Sequence, residues 1–374
     1  MPPKPTLDLL RALTDEHVLR SVMRHGRLTR VQIAADTGLS KPTVYDSVSR
    51  LTTAGVLVDT GERTTGRGRI GSYYSLAGDS GTALVVAISA SGVHAEAIDA
   101  FGRPVATAHA ELDRSAGPIR ASRALAQAAG QIKTPGALRC ATVSAADPVD
   151  RDTGRLVRLP DSPFLVGDLD PVATLAPFVA GPILVDNDVN WAARAEHAAL
   201  PPGIDDFVYL YLGEGLGCAV VSDGHVHRGG HGLAGEISHL YTPGPDGAAL
   251  AFTDVFAALE LRRPASAAID VEALRHATSG AGPTAVRIRA IVARAVCGVI
   301  LGAITLVDPQ MAVIGGPWGA DTTMIAAIEE QLGHAPRTVP IAAAQVDAPE
   351  LAGARSHALE ALRNAIINRV SADQ

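Results

Sequence analysis

A chain of 374 residues exceeds one ordinary domain, and a content of 47% hydrophobic and 19% charged residues is that of a folded globular protein. The net charge of -7 hides an asymmetry: residues 1–76 carry 11 Lys or Arg against 7 Asp or Glu, hence +4, which leaves 21 against 32, hence -11, for the rest. A basic head on an acidic body confines nucleic-acid affinity to the head and excludes a second DNA-binding surface on the body.

No apolar run reaches the length of a membrane span, and the amino terminus, MPPKPTLDLLRALTDEH, lacks the apolar core of a signal peptide. Cys140, Cys218 and Cys297 are scattered, with no spacing for a metal or a disulfide framework. A reducing cytoplasm is the expected setting.

Residues 5–25 read as a helix, with Leu7, Leu10, Val18, Leu19 and Val22 available to pack on the two helices after it, and Gly26 ends it. Leu28 to Leu51 then reads as two short helices joined at a tight corner. Thr29 is a fitting N-cap for the first, and Ile33 and Ala34 supply its buried side. Gly38 sits at the corner, where glycine takes a left-handed conformation at little cost. Ser40 caps the second helix and Pro42 falls in its first turn, where a missing N–H does no harm. Val44, Val48 and Leu51 recur at i, i+4 and i+7 as one apolar stripe. The residues assigned to face a DNA major groove are Lys41, Thr43, Tyr45, Ser47 and Arg50.

Such spacing alone also fits an ordinary helical hairpin. The next residues decide against that. Gly55 breaks the helix, Val56 to Thr60 is a short β-branched strand, and Tyr73, Tyr74 and Leu76 return as a second. Between them lies a glycine-rich tip carrying Arg63, Arg67 and Arg69, and the tip arginines Arg67 and Arg69 are assigned to phosphates or the minor groove. A basic hairpin directly after a recognition helix is the layout of a winged helix-turn-helix, here residues 1–77, with AGDSG (77–81) as linker.

From Ala83 the pattern changes. ALVVAIS, VHAEAIDAFG and RPVATAHAELD read as three strands in a meander, followed by a helix from Ile119 to Gln131 and the strand LRCATVS (138–144). After the loop ADPVDRDTGRLVRLP come a helix over 169–179, the strand PILV (182–185), and DNDVNWAARAEHAAL, a loop that enters a helix. A second meander follows at 207–213, 216–222 and 225–227. Residues 284–307 form an apolar helix suited to burial in the body or at a dimer interface, and MAVIGG (311–316) is a buried strand. Alternating strands and helices indicate α/β architecture, and the repeated meander indicates two related lobes with a cleft between them.

These residues resemble the ROK family of bacterial sugar-responsive repressors and sugar kinases. The pieces that carry the resemblance are VDNDVNWAARAEH (185–197), GEGLGCAVVSDGHVHRGGHGLAGEISH (213–239) and MAVIGGPW (311–318), and ADPVDRDTG (146–154) is similar to the family's loop containing PG-x-VD. The resemblance implies an actin/hexokinase-like body: a first lobe over 82–188 and a second over 189–374, whose C-terminal helices pack back on the first. It also implies a sugar site. The family's Asn-Asp pair falls on Asn187 and Asp188, although Asp188 would also serve as a helix cap. Its E-x-G-H falls on Glu236 and His239, with Ser238 in place of the glycine. Its later acidic sugar ligand falls on Asp254.

The departures matter equally. A ROK kinase has D-x-G-G-T after its first strand, where this chain reads ISASGV (88–93). The second phosphate loop reads Gly213-Glu214-Gly215-Leu216-Gly217, and Glu214 would set a negative charge beside the phosphates. The plain reading of that loop is a hairpin turn. The family's zinc-binding cysteines are absent between Tyr241 and Asp254, so no cofactor and no structural zinc are expected, and His239 becomes a hydrogen-bonding residue. His225, His227 and His231 read as a polar hairpin edge rather than a metal site.

The expected protein is a cytoplasmic regulator, a repressor, binding a double-stranded DNA operator as a homodimer or dimer of dimers, with a sugar or sugar-phosphate effector, no catalytic residues and no membrane partner. Two rivals remain: a sugar kinase with a DNA-binding head, and a ligand-independent regulator whose body is only a dimerisation scaffold.

Overall fold

A computed structural model describes residues 7–65, 70–113, 116–159 and 166–372. The head comprises α1 (Leu7–His25), β1 (Leu28–Thr29), α2 (Arg30–Thr37), α3 (Lys41–Thr53), β2 (Leu57–Arg63) and β3 (Ser72–Leu76). The local signals act as expected. The Thr29 side chain accepts from the Gln32 N–H while Gln32 reaches back to the Thr29 N–H, a complete capping box. Gly38 closes α2 at φ 71°, and Ser40 caps α3 by accepting from the Thr43 N–H. Not foreseen is the two-residue β1, which pairs with β3 and gives a three-stranded wing sheet in the order β1-β3-β2.

The body opens with β4 (Thr82–Ser89), β5 (Gly92–Ile98) and β6 (Pro104–Ala110), then α4 (Pro118–Gln131), β7 (Leu138–Ala145), α5 (Pro171–Leu175) and β8 (Ile183–Asn187). The expected helix over 169–179 is reduced to Pro171–Leu175, because Pro177 has no N–H with which to extend the ladder. Next come α6 (Asp188–Ala199), β9 (Phe207–Leu212), β10 (Leu216–Ser222), β11 (His225–Val226), β12 (Tyr241–Pro243), β13 (Ala249–Ala251), α7 (Phe252–Ala258), α8 (Val271–Thr278) and α9 (Pro283–Val307). The chain finishes with β14 (Met311–Gly315), α10 (Thr322–Leu332), β15 (Ile341–Ala343) and α11 (Pro349–Ala372).

The two principal sheets run β6-β5-β4-β7-β8 and β11-β10-β9-β14-β15. In each, a three-strand antiparallel meander passes into parallel strands, so the second sheet repeats the first strand for strand. This is the two-lobed actin/hexokinase-like arrangement behind a winged helix. The central strand β4 alternates between two cores, as a strand buried on both faces must. Leu84, Val86 and Ile88 enter the core beneath α4, whereas Ala83 and Val85 face the opposite way.

That opposite face is where the head attaches. Val18, Leu19, Val22, Ile33, Val44, Val48 and Leu51 of the head share one apolar cluster with Ala83 and Val85 of β4, Trp191 of α6, and Ala358, Leu362 and Ile366 of α11. Arg20 of α1 donates to Glu360 at 3.0 Å and to Asn364 at 2.8 Å on α11, and Arg363 of α11 donates to the Met23 and Ala100 carbonyls. The helix α11 is also tied to the first sheet by the Arg355–Glu96 ion pair, whose Glu96 is fully buried in β5.

α9 corrects one expectation. No apolar run of membrane-spanning length was expected, yet this helix is by length and composition long and apolar enough to cross a membrane. Ile291, Val292, Val296, Val299 and Ile300 on it are buried in the core of the second lobe, the burial expected of the segment.

Candidate functional site

On the head, α3 offers Lys41, Tyr45, Asp46 and Ser49 to solvent, with Tyr45 55% exposed. Thr43 is half-buried and its hydroxyl lies 2.7 Å from that of Ser40. Two assigned residues are withdrawn from the DNA-facing set. Ser47 is fully buried and donates to Asp15 of α1. The Arg50 guanidinium is held 2.6 Å from the same Asp15 carboxylate, itself 1% exposed. Both therefore bind α3 to α1, where a buried carboxylate requires its partners. Arg67 and Arg69 lie outside the described residues. A residue the sequence did not single out stands beside the recognition helix instead. The Arg30 guanidinium is stacked between Tyr45 at 4.4 Å and Tyr74 at 4.8 Å, a cation–π arrangement that fixes its charge at the start of α2.

In the body, a cavity of about 610 Å³ lies outside the carboxyl ends of the parallel strands β4, β7 and β8 and faces the β9–β10 hairpin. Ligands of open α/β sheets bind at that end. Asn187, Asp188, Glu236 and His239 all line it, so four residues from two distant segments of the sequence converge there. Asp254 does not line it: its carboxylate is held 2.9 Å from Arg262.

Each side chain is set by its backbone. Asn187, rather than Asp188, is the N-cap of α6, accepting from the Val189 N–H at 2.9 Å and donating to the Ala145 and Asp147 carbonyls. Asp188 occupies the first turn and accepts from the same N–H at 2.8 Å. Gly235, at φ 95°, passes so close to Cys218 that a Cβ would sit 1.8 Å from its carbonyl oxygen, and only this approach brings Glu236 to the cleft. At the opposite end, residues 213–215 form the hairpin turn, with the Gly213 carbonyl held by the buried indole of Trp318 at 2.8 Å. Glu214 is paired with Arg263 at 2.7 Å, and Ser89 and Ser91 bond one another at 2.8 Å in the turn between β4 and β5.

The electrostatics of the inner end are one-sided. Desolvation raises the Asp188 carboxyl to about 7, reinforced by the charges of Glu350, Glu236 and Asp147. Asp147 was not singled out by sequence. It is 1% exposed, and its burial raises it to about 6 although Oδ2 accepts from the Val166 and Gly167 N–H groups. The cleft walls and the Asp147 charge push Glu236 upward as well, moderated by the water that its exposed side chain meets. Glu350 belongs to the first turn of α11, so its charge bears on the start of α6, from the helix that also packs on the head. Among the described residues no group of three His, Cys, Asp or Glu side chains could hold a metal ion.

Head, lobes and cleft together define a sugar-kinase-type body bearing a winged helix-turn-helix. A family model for ROK matches residues 123–359, and one for winged helix-turn-helix DNA-binding matches residues 11–58. The chain belongs to the ROK family. It is 30% identical to N-acetylmannosamine kinase of Citrobacter koseri over 269 residues, 66% of this chain and 91% of that protein. It is 36% identical to N-acetylmannosamine kinase of Salmonella arizonae over 123 residues, where the match spans 29% of this chain and only 42% of the relative. A crystal structure of a ROK family transcriptional regulator, a homolog of the E. coli MLC protein, superposes with a TM-score of 0.66 at 16% identity, covering 98% of this chain and 100% of that one.

Proposed function

We propose that the protein is a cytoplasmic, effector-responsive transcriptional regulator, a repressor of carbohydrate-related genes, without sugar kinase activity. It would bind its operator as a homodimer or dimer of dimers, because paired recognition helices read half-sites about one turn apart. The effector would be a sugar or sugar phosphate held by Asn187, Asp188, Glu236 and His239. Lys41, Thr43, Tyr45 and the tip arginines Arg67 and Arg69 would contact DNA.

One observation carries this reading over the scaffold rival: α11 packs tightly on α6, where Gly353 meets the Trp191 backbone and the Glu350 charge reaches Asp188, and continues into the apolar core of the head. A ligand that neutralises or screens Asp188 relieves its repulsion from Glu350. The resulting shift of α11 is passed to α1 through Arg20 and Arg363. Such a device satisfies the requirement that an effector discriminate between two states of one element. The absence of kinase activity is supported by Ser89 and Ser91 at the first phosphate loop and by Glu214 at the second. The test is fluorescence anisotropy on an operator selected from genomic fragments, titrated with a sugar panel, alongside an ATP-consumption assay. An effector that weakens binding supports the proposal. Sugar-dependent ATP turnover that vanishes in Asp188→Asn restores the kinase rival, and operator binding indifferent to every effector restores the scaffold rival.

A further inference from the structure

The charged residues lining the cleft are Asp188, Glu214, Glu236 and Glu272 against Arg263 and Arg275. Arg263 is committed to Glu214, and Glu272 and Arg275 lie one turn apart on α8, so the outer end is balanced. The inner end is not. Asp188 and Glu236 line the cavity, the buried Asp147 lies just behind its wall between the lining residues Ala146 and Pro148, and none of the three has a Lys or Arg partner among the described residues. Asp147 has a further peculiarity: Oδ2 takes two backbone N–H groups, whereas Oδ1 is buried with no hydrogen-bond partner among the described residues.

Asp147 is a buried carboxylate without a cation, which is costly, and Asp188 and Glu236 add their charge at the cavity wall in front of it; a neutral hydroxyl compensates such a cluster poorly. A phosphate would add negative charge to an acidic end. An ammonium group is the ligand chemistry that offsets the cluster, through short charge-assisted bonds. Resting on the reading that the cleft binds a sugar, we propose that its ligand is an unphosphorylated amino sugar with a free, protonated amine, seated against Asp188 and Glu236 in front of Asp147.

The experiment is isothermal titration of the full chain at neutral pH with glucosamine, galactosamine and mannosamine. Each is compared with its N-acetyl derivative and its parent hexose, and glucosamine 6-phosphate is the phosphorylated arm. At least one free amine should bind at least about tenfold more tightly than its neutral counterparts, the scale of a charge-assisted over a neutral hydrogen bond. Asp147→Asn, which keeps an acceptor for Val166 and Gly167, should reduce that preference several-fold, and Glu236→Gln reads the same effect should the first variant fold poorly. An N-acetylated, neutral or phosphorylated sugar that binds as tightly as its free amine overturns the proposal and leaves the sugar-effector reading standing. No binding by any sugar, with operator binding intact, overturns both.

Discussion

Replacing Asp188 by Asn should make the ligand-free protein more stable, and the gain should depend on pH. The folded protein holds the Asp188 carboxyl at about 7 against an ordinary 3.8, so folding favours its protonated form. The cost of ionising it is absent below about pH 4, grows as pH rises through the interval from 4 to 7, and is complete above about 7. Three pKa units correspond to a ceiling of about 4 kcal/mol. Asp188 is partly exposed to cleft water, which screens it, so about 1–2 kcal/mol is the expected gain at pH 8. Asn retains an acceptor for the Val189 N–H, and Asn187 continues to cap α6, so the helix start survives the change. Thermal melts of the two proteins should differ by roughly 2–3 °C at pH 8. The difference should shrink to under half by pH 5 and vanish near pH 4. A variant equally or less stable at pH 8, or more stable by the same amount at every pH, would refute the assignment of an electrostatic burden to this position.

Arg50→Ala should lower the stability of the head by about 2–4 kcal/mol, because it strips the buried Asp15 of its cation; a variant that melts like the parent but no longer binds DNA would return Arg50 to the recognition surface. Arg30→Ala should leave the melt unchanged within ~1 kcal/mol and reduce the slope of log affinity against log salt by about one, as for one lost phosphate contact; an unaltered slope removes Arg30 from the interface. Leu362→Ala on α11 should destabilise by about 2–5 kcal/mol, and hydrogen exchange should accelerate in α1 and β4 together; acceleration in α11 alone would mean that head and body are separately stabilised.

Local rules made much of the head legible. Thr29, Gly38, Ser40 and Pro42 announce their roles because capping and turn chemistry depend on neighbours within four residues. The repeated meander was visible for the same reason, as alternation and turn residues in sequence order. What escaped depends on partners far away. Ser47 lies at i+3 from Val44 and so falls within the apolar stripe, a signal that could have removed it from the polar side. Nothing near Arg50 foretells Asp15, 35 residues earlier. The placing of Asp254 rested on a segment without the cysteines that would have fixed the correspondence, and its actual partner is Arg262. Asp147 gives no local sign, since its importance arises from where β7 ends relative to α6 and the 235–239 turn.

The shared core has a consequence for how such proteins can be recombined. A DNA-reading module joined by a flexible tether can be exchanged for another at the linker. Here the linker after Leu76 is not the seam: the head ends where Ala358, Leu362 and Ile366 of α11 begin, more than 280 residues later. A chimera cut at residue 77 would set a foreign apolar surface against these side chains, and would lose the bonds from Arg20 to Glu360 and Asn364 as well. The transplantable unit is therefore discontinuous, head plus the facing stripe of α11. New operator specificity is better sought by changing the outward residues of α3 than by grafting whole heads.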